Sequence, residues 1–95
     1  MMTVFIEYKL VPEKRKQALA LIAEIEARMT EQGASQFRCF EGYDQPDLFV
    51  ETFDVDHVEQ YEQIKQDRLS DEAFCDCIAG GSSKLNIWAF CPVKR

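Results

Sequence analysis

The chain is predicted to be one α+β domain over residues 1–95, a four-stranded antiparallel sheet in the order β-α-β-β-α-β with helices on one face. Three observations predict it. Thr3 to Val11 alternates with period two, and Pro12 to Gly33 places apolar residues at steps of three and four. The segment from Gln36 to Phe53, QFRCFEGYDQPDLFVETF, holds two β-rich runs on either side of a Gly-Tyr-Asp-Gln-Pro-Asp turn.

In the first strand Val4, Ile6, Tyr8 and Leu10 point one way, and Phe5, Glu7 and Lys9 the other. Pro12 opens a helix where its missing N–H costs nothing. Ala18, Leu21, Ile22, Ile25 and Met29 form the inner stripe of that helix, and Gly33 ends it as a left-handed C-terminal residue. Phe37 to Glu41 and Leu48 to Phe53 make a hairpin closed by a six-residue loop from Gly42 to Asp47. The register expected is Cys39 opposite Val50, which pairs Arg38 with Glu51 and Phe40 with Phe49.

A second helix is expected from Asp56, with Glu59 completing a capping box and Val58, Tyr61, Ile64 and Leu69 facing inward. Ser70, followed by Asp71 and Glu72, reads as a break and restart through Ile78, and Gly80 and Gly81 end the segment. Lys84 to Val93 is the last strand. This order is the ferredoxin-like split unit.

Helices cover only one face of such a sheet. Val4, Ile6, Leu10, Cys39, Val50, Leu85, Ile87 and Ala89 suit the covered face, leaving Phe5, Phe40, Phe49, Phe53, Trp88 and Phe90 for the other. Six large aromatics exceed what a monomer normally exposes, so a homodimer joined sheet to sheet is expected.

The net charge of -6 and the absence of a basic, aromatic-interleaved face argue against nucleic acid. No apolar run is long enough to span a bilayer and no secretory leader is visible, so a cytoplasmic protein is expected. In that setting Cys39, Cys75, Cys77 and Cys91 read as reduced thiols. The lone C-x-C of Cys75 and Cys77 lacks the second pair of a zinc site, and no metal is expected.

Candidate ligand-binding residues are Tyr8, Tyr61, Arg68, Glu51 and Trp88. Tyr8 and Tyr61 are expected to approach each other under the helices, where phenols can hydrogen-bond a ligand or donate a proton. Arg68 is placed to clamp an anion at a pocket mouth, and Trp88 to stack on a flat ligand. Glu51 with Glu7, if both point the same way near Arg38, would make a carboxylate pair able to split its pKa values. Core packing, an interface ion-pair network and solvated charge explain the same residues without chemistry. His57 is an isolated histidine in a first helical turn, and Tyr43 and Asp44 sit at an exposed hairpin tip. No phosphate loop, nucleophile elbow or H-E-x-x-H is present.

The runs TVFIEYKLVPEKRKQALALIAEIEARM, LFVETFDV, DHVEQYEQIK and GGSSKLNIWAF resemble the dimeric α+β barrel superfamily, and within it the antibiotic-biosynthesis-monooxygenase-like group. The resemblance implies a ferredoxin-like protomer, a dimeric barrel and a pocket between sheet and helices. Haem-degrading members carry Asn, Trp and His where this chain offers Tyr8, Phe53 and His57, so haem is not implied and no cofactor is expected. Two functions remain open, because fold does not settle function. One is a cofactor-independent monooxygenase-like enzyme acting on a small aromatic or carbonyl metabolite; the other is a non-catalytic dimeric ligand-binding or interaction module.

Overall fold

The computed structural model describes residues 1–95 and has the predicted element order. Strand β1 (Met2–Lys9) leads through a 3-10 turn at Pro12–Lys14 into helix α1 (Arg15–Glu31). The hairpin of β2 (Ser35–Glu41) and β3 (Leu48–Val55) follows, then α2 (Val58–Ser70), the short α3 (Glu72–Cys75) and β4 (Asn86–Phe90). The sheet order is β2-β3-β1-β4, with every pairing antiparallel.

Helix α1 buries Ala18, Ile22, Ile25 and Met29, the 3.6-residue stripe that the sequence marks. Its exit needs Gly33, whose φ of 102° is the left-handed region and whose missing side chain leaves room for the amide of Gln60. That Gln60 also starts α2: its Oε1 accepts from the backbone N–H groups of His57 (2.9 Å) and Asp56 (3.0 Å). The cap therefore falls on His57 with Gln60 as the third residue, not on Asp56 with Glu59. The helix ends at Ser70 as expected, but the restart is capped by Asp71, whose Oδ1 accepts from Phe74 N at 3.1 Å, and α3 stops at Cys75, short of the expected Ile78.

Register along the hairpin differs from expectation by one residue. Arg38 pairs with Thr52, Cys39 with Glu51 and Phe40 with Val50. The slip starts at a bulge between Ser35 and Arg38, where Gln36 takes φ 57°. Arg38 and Glu51 thus lie on opposite faces and make no pair. The face of β3 turns over with the register: Phe49, Phe53 and Val55 enter the core with Glu51, while Val50 faces out. Phe49 and Phe53 therefore leave the predicted outer aromatic set, and Cys39, although on the helix side, is exposed near the sheet edge.

The six-residue loop from Gly42 to Asp47 is as expected, closed by Gly42 N to Leu48 O at 2.8 Å. Arg15, at the start of α1, forks onto Glu41 (2.6 and 2.7 Å) and reaches Asp47 at 3.0 Å, and Asp47 N donates to Glu41 Oε2. Hydrogen bonds from Arg15, then from the Asp47 backbone, lower the Glu41 pKa to about 2. A lowered folded-state pKa contributes stability above the ordinary carboxylate value near 4.3 and loses it as pH falls through about 2. Glu41→Gln should therefore be less stable than the parent at neutral pH, with the difference vanishing near pH 2 in urea melts across that range. A gap that persists unchanged at pH 2 would show that Glu41 acts by packing instead.

Candidate functional site

On the helix-covered side, three polar ends meet inside the core. Ile6 of β1 sits opposite Glu51 of β3, so Tyr8, two residues along, projects on the same face beside it. Arg68 follows Ile64 by four residues on α2 and is aimed at the same point. Its Nη1 and Nη2 donate to Glu51 Oε1 and Oε2 at 2.7 and 2.9 Å, a two-pronged fork, and Tyr8 Oη donates to Oε2 at 2.6 Å. Glu51 is 0% exposed and Arg68 2%, so the charges are withdrawn from water and must satisfy each other.

Aromatic rings wall in the cluster. Tyr8 stacks on Phe49 at 5.9 Å and meets Phe74 edge-on at 5.1 Å, and Phe74 also lies 4.9 Å from Arg68 Cζ. Arg68 Nε has no hydrogen-bond partner, the single unsatisfied polar atom of the cluster. Burial, then the Glu51 charge and hydrogen bond, raise the Tyr8 pKa far above that of a free phenol. Burial works against the charge on Arg68, but Glu51 outweighs it and the net shift is upward. Tyr8 thus holds its proton and Arg68 its charge, which suits a structural tie better than proton exchange.

These placements separate the candidates. Tyr8, Glu51 and Arg68 come together, with Arg68 in the core and not at a pocket mouth, and the anion it clamps is Glu51 itself. Tyr61 stays at the margin of the core under Lys65, whose Nζ lies 5.7 Å from its ring, and no cavity is lined by Tyr8 and Tyr61 together. Glu7 pairs with Val50 on the open face, so Glu7 and Glu51 point to opposite sides of the sheet and form no carboxylate pair. His57 is exposed at the α2 cap, and Tyr43 is fully exposed.

The open face carries the other feature. Phe5, Val50, Trp88 and Phe90 line a hollow of about 350 Å³ with Glu7 as its one charged wall. Phe5 and Phe90 stand edge-to-face at 5.2 Å, and Trp88 is the cross-strand neighbour of Phe5. Trp88 is 46% exposed and Phe90 54%, with Phe40 also half-exposed under Arg38. Sequence reasoning gave Phe5 and Glu7 no place in a common hollow. The signal was present in their i, i+2 spacing along β1, on the face away from Val4, Ile6 and Tyr8.

A βαββαβ chain whose sheet carries helices on one face only can be set beside solved structures. A crystal structure of an antibiotic biosynthesis monooxygenase superposes with a TM-score of 0.70 at 14% identity, covering 99% of this chain and 100% of that one. The fold is that of the antibiotic biosynthesis monooxygenases. A conserved protein from Methanosarcina mazei Go1 matches the same monooxygenase-like fold with a TM-score of 0.72, 13% identity and coverage of 94% and 89%. A candidate antibiotic biosynthesis monooxygenase from Chloroflexus aurantiacus J-10-fl matches at 0.60, with 21% identity over 100% of this chain and 96% of that one. No family model and no curated protein matches the sequence. No helix is long and apolar enough to cross a membrane.

Proposed function

We propose that the protein works as a homodimer joined through the open faces of its two sheets, and that it is a ligand-binding or interaction module. One observation carries the reading: Phe5, Val50, Trp88 and Phe90, with Phe40 nearby, form an apolar face that nothing in the protomer covers. Rings of about 150–250 Å² each, roughly half exposed, leave on the order of 300 Å² of aromatic surface. That lies within the roughly 300–600 Å² of the largest patch on a typical monomer, a patch that is often functional. A two-fold axis sets such a patch against itself, and Glu7, Lys9, Arg38 and Asp54 around it supply both signs of charge for a polar rim. Static light scattering at tens of micromolar should give twice the 11.0 kDa chain mass; a mass of 11.0 kDa would end the dimer reading.

The module reading is favoured by what fills the helix-side interior. Tyr8, Glu51 and Arg68 hold one another there, and the one hollow that Tyr8 borders is lined by neither Glu51 nor Arg68. A cytoplasmic setting agrees with four cysteines that form no disulfide.

The names of the structural neighbours, antibiotic biosynthesis monooxygenases, favour a second reading, a monooxygenase-like enzyme; we take it to be cofactor-independent and to act on a small aromatic or carbonyl metabolite. Its substrate would occupy the open-face hollow, where Glu7 is the one group able to take a proton. Oxygen uptake with hydroquinones and phenols separates the two. Turnover above the protein-free rate, lost in Glu7→Gln, would establish the enzyme, and no turnover leaves the binding module.

A further inference from the structure

Glu7 is the one member of the open-face hollow that packing does not account for. Its hollow neighbours Phe5, Val50, Trp88 and Phe90 are all apolar. Its single side-chain hydrogen bond comes from Asn86 Nδ2 at 3.2 Å, a neutral donor across the β1–β4 pairing. It makes no ion pair, although Lys9 stands two residues along on the same face. In an isolated protomer water solvates this carboxylate. Once a second copy covers the face that water goes, and a carboxylate in apolar surroundings is strongly disfavoured unless a cation joins it.

The walls around Glu7 are suited to a cation of one kind. Phe5 and Phe90 meet at 90° and Trp88 adjoins Phe5, so aromatic surface closes the hollow on adjoining sides. Ring faces attract positive charge through their quadrupoles, Trp most strongly, and the attraction grows when water is excluded. An anion would be repelled by Glu7, and a neutral ring would leave Glu7 without a counter-charge. A hydrated metal ion would lose its water to phenylalanine walls that offer no oxygen in return. We propose that this hollow binds a small organic cation, a quaternary or aromatic ammonium, with its charge shared between the Glu7 carboxylate and the aromatic rings. The inference rests in part on the dimer reading: closure of the face makes the unpaired carboxylate costly, while the aromatic walls and the Glu7 charge belong to the single protomer. At about 350 Å³ the hollow is at the small end of ligand sites.

Trp88 is the only tryptophan, so its fluorescence reports the hollow directly. The full-length protein would be titrated at constant ionic strength with benzyltrimethylammonium, with choline and with 3,3-dimethylbutanol, the uncharged isostere of choline. The expected result is a saturable change with both cations, a choline affinity at least tenfold above that of the alcohol, and loss of that preference in Glu7→Gln. Equal affinity for choline and the alcohol, no saturable change, or an unaltered preference in Glu7→Gln would each overturn the proposal. So would a dimer that binds no cation and is weakened non-additively by Glu7→Gln and Arg38→Gln, since Arg38 of the partner subunit would then supply the counter-charge. Light scattering on the same samples keeps the readings apart. A monomer that binds choline selectively defeats the dimer and leaves the cation site standing, and a dimer that binds none defeats the cation site alone.

Discussion

Replacing Arg68 by alanine is expected to destabilise the fold by about 3–5 kcal/mol, because it leaves the Glu51 carboxylate buried without its counter-charge. Domains of this kind have roughly 5–15 kcal/mol in total, so the variant should sit at the edge of unfolding at room temperature. The asymmetry of buried ion pairs makes the test sharper than a single deletion. A double replacement, Glu51→Leu with Arg68→Met, removes both charges while keeping apolar volume and should be milder than Arg68→Ala in urea melts. It also deprives Tyr8 of its acceptor, so Tyr8→Phe added to the double variant should recover some stability, whereas Tyr8→Phe alone should cost about 1.5–3 kcal/mol. If Arg68→Ala melts within about 1 kcal/mol of the parent, water reaches the pair and the cluster is no core tie.

Trp88→Glu should convert a dimeric species into an 11.0 kDa one at micromolar concentrations. A half-exposed tryptophan on an aromatic face is the residue type that dominates interface energetics. A loss of about 2 kcal/mol or more corresponds to roughly a thirtyfold or greater rise in dissociation constant. In the proposed dimer a two-fold axis would double the insult, since each copy would bring the same new charge to the same apolar patch. Tyr43→Glu is the control: that residue is fully exposed at the hairpin tip, and its change should leave the mass unaltered. Sedimentation velocity across a dilution series reads both variants. Equal behaviour of the two would remove Trp88 from any interface.

The first strand and helix were legible because each has one apolar side: Val4, Ile6, Tyr8 and Leu10 against Glu7 and Lys9, and Ala18, Ile22, Ile25 and Met29 against charge. Strand β3 was not. Leu48, Phe49 and Val50 are apolar in succession, so alternation does not distinguish the two faces there, and sorting aliphatic from aromatic residues chose the wrong one. Glu51 deepened the error, because an acidic residue in an alternating strand reads as outward. What places it inside is Arg68, seventeen residues later, and a partner so far along the chain leaves no local trace. The hint was on α2, where Arg68 and not Leu69 continues the spacing from Ile64. The one-residue register slip had a backbone cause, the bulge near Gln36, which side-chain patterning does not encode. Among the candidate residues, Tyr8, Glu51 and Arg68 are legible as residues but not as neighbours, and the conditional Glu7–Glu51 pair does not form because the two point to opposite faces.

That bulge bears on how copies of the chain can meet. Strand β2 is the outermost strand beside β3, and its residues are exposed along nearly its whole length. A straight exposed edge invites another chain to extend the sheet, and then another, without limit. Here the bulge at Ser35–Arg38 spoils the even spacing of donors and acceptors at one end, while Glu41 at the other end is engaged by Arg15. Sheet extension along this edge is discouraged; β4 is the sheet's other edge, and the aromatic face lies between the two. In the dimer proposed above, pairing through a face about a two-fold axis would use up that surface, so growth through the face would stop at two.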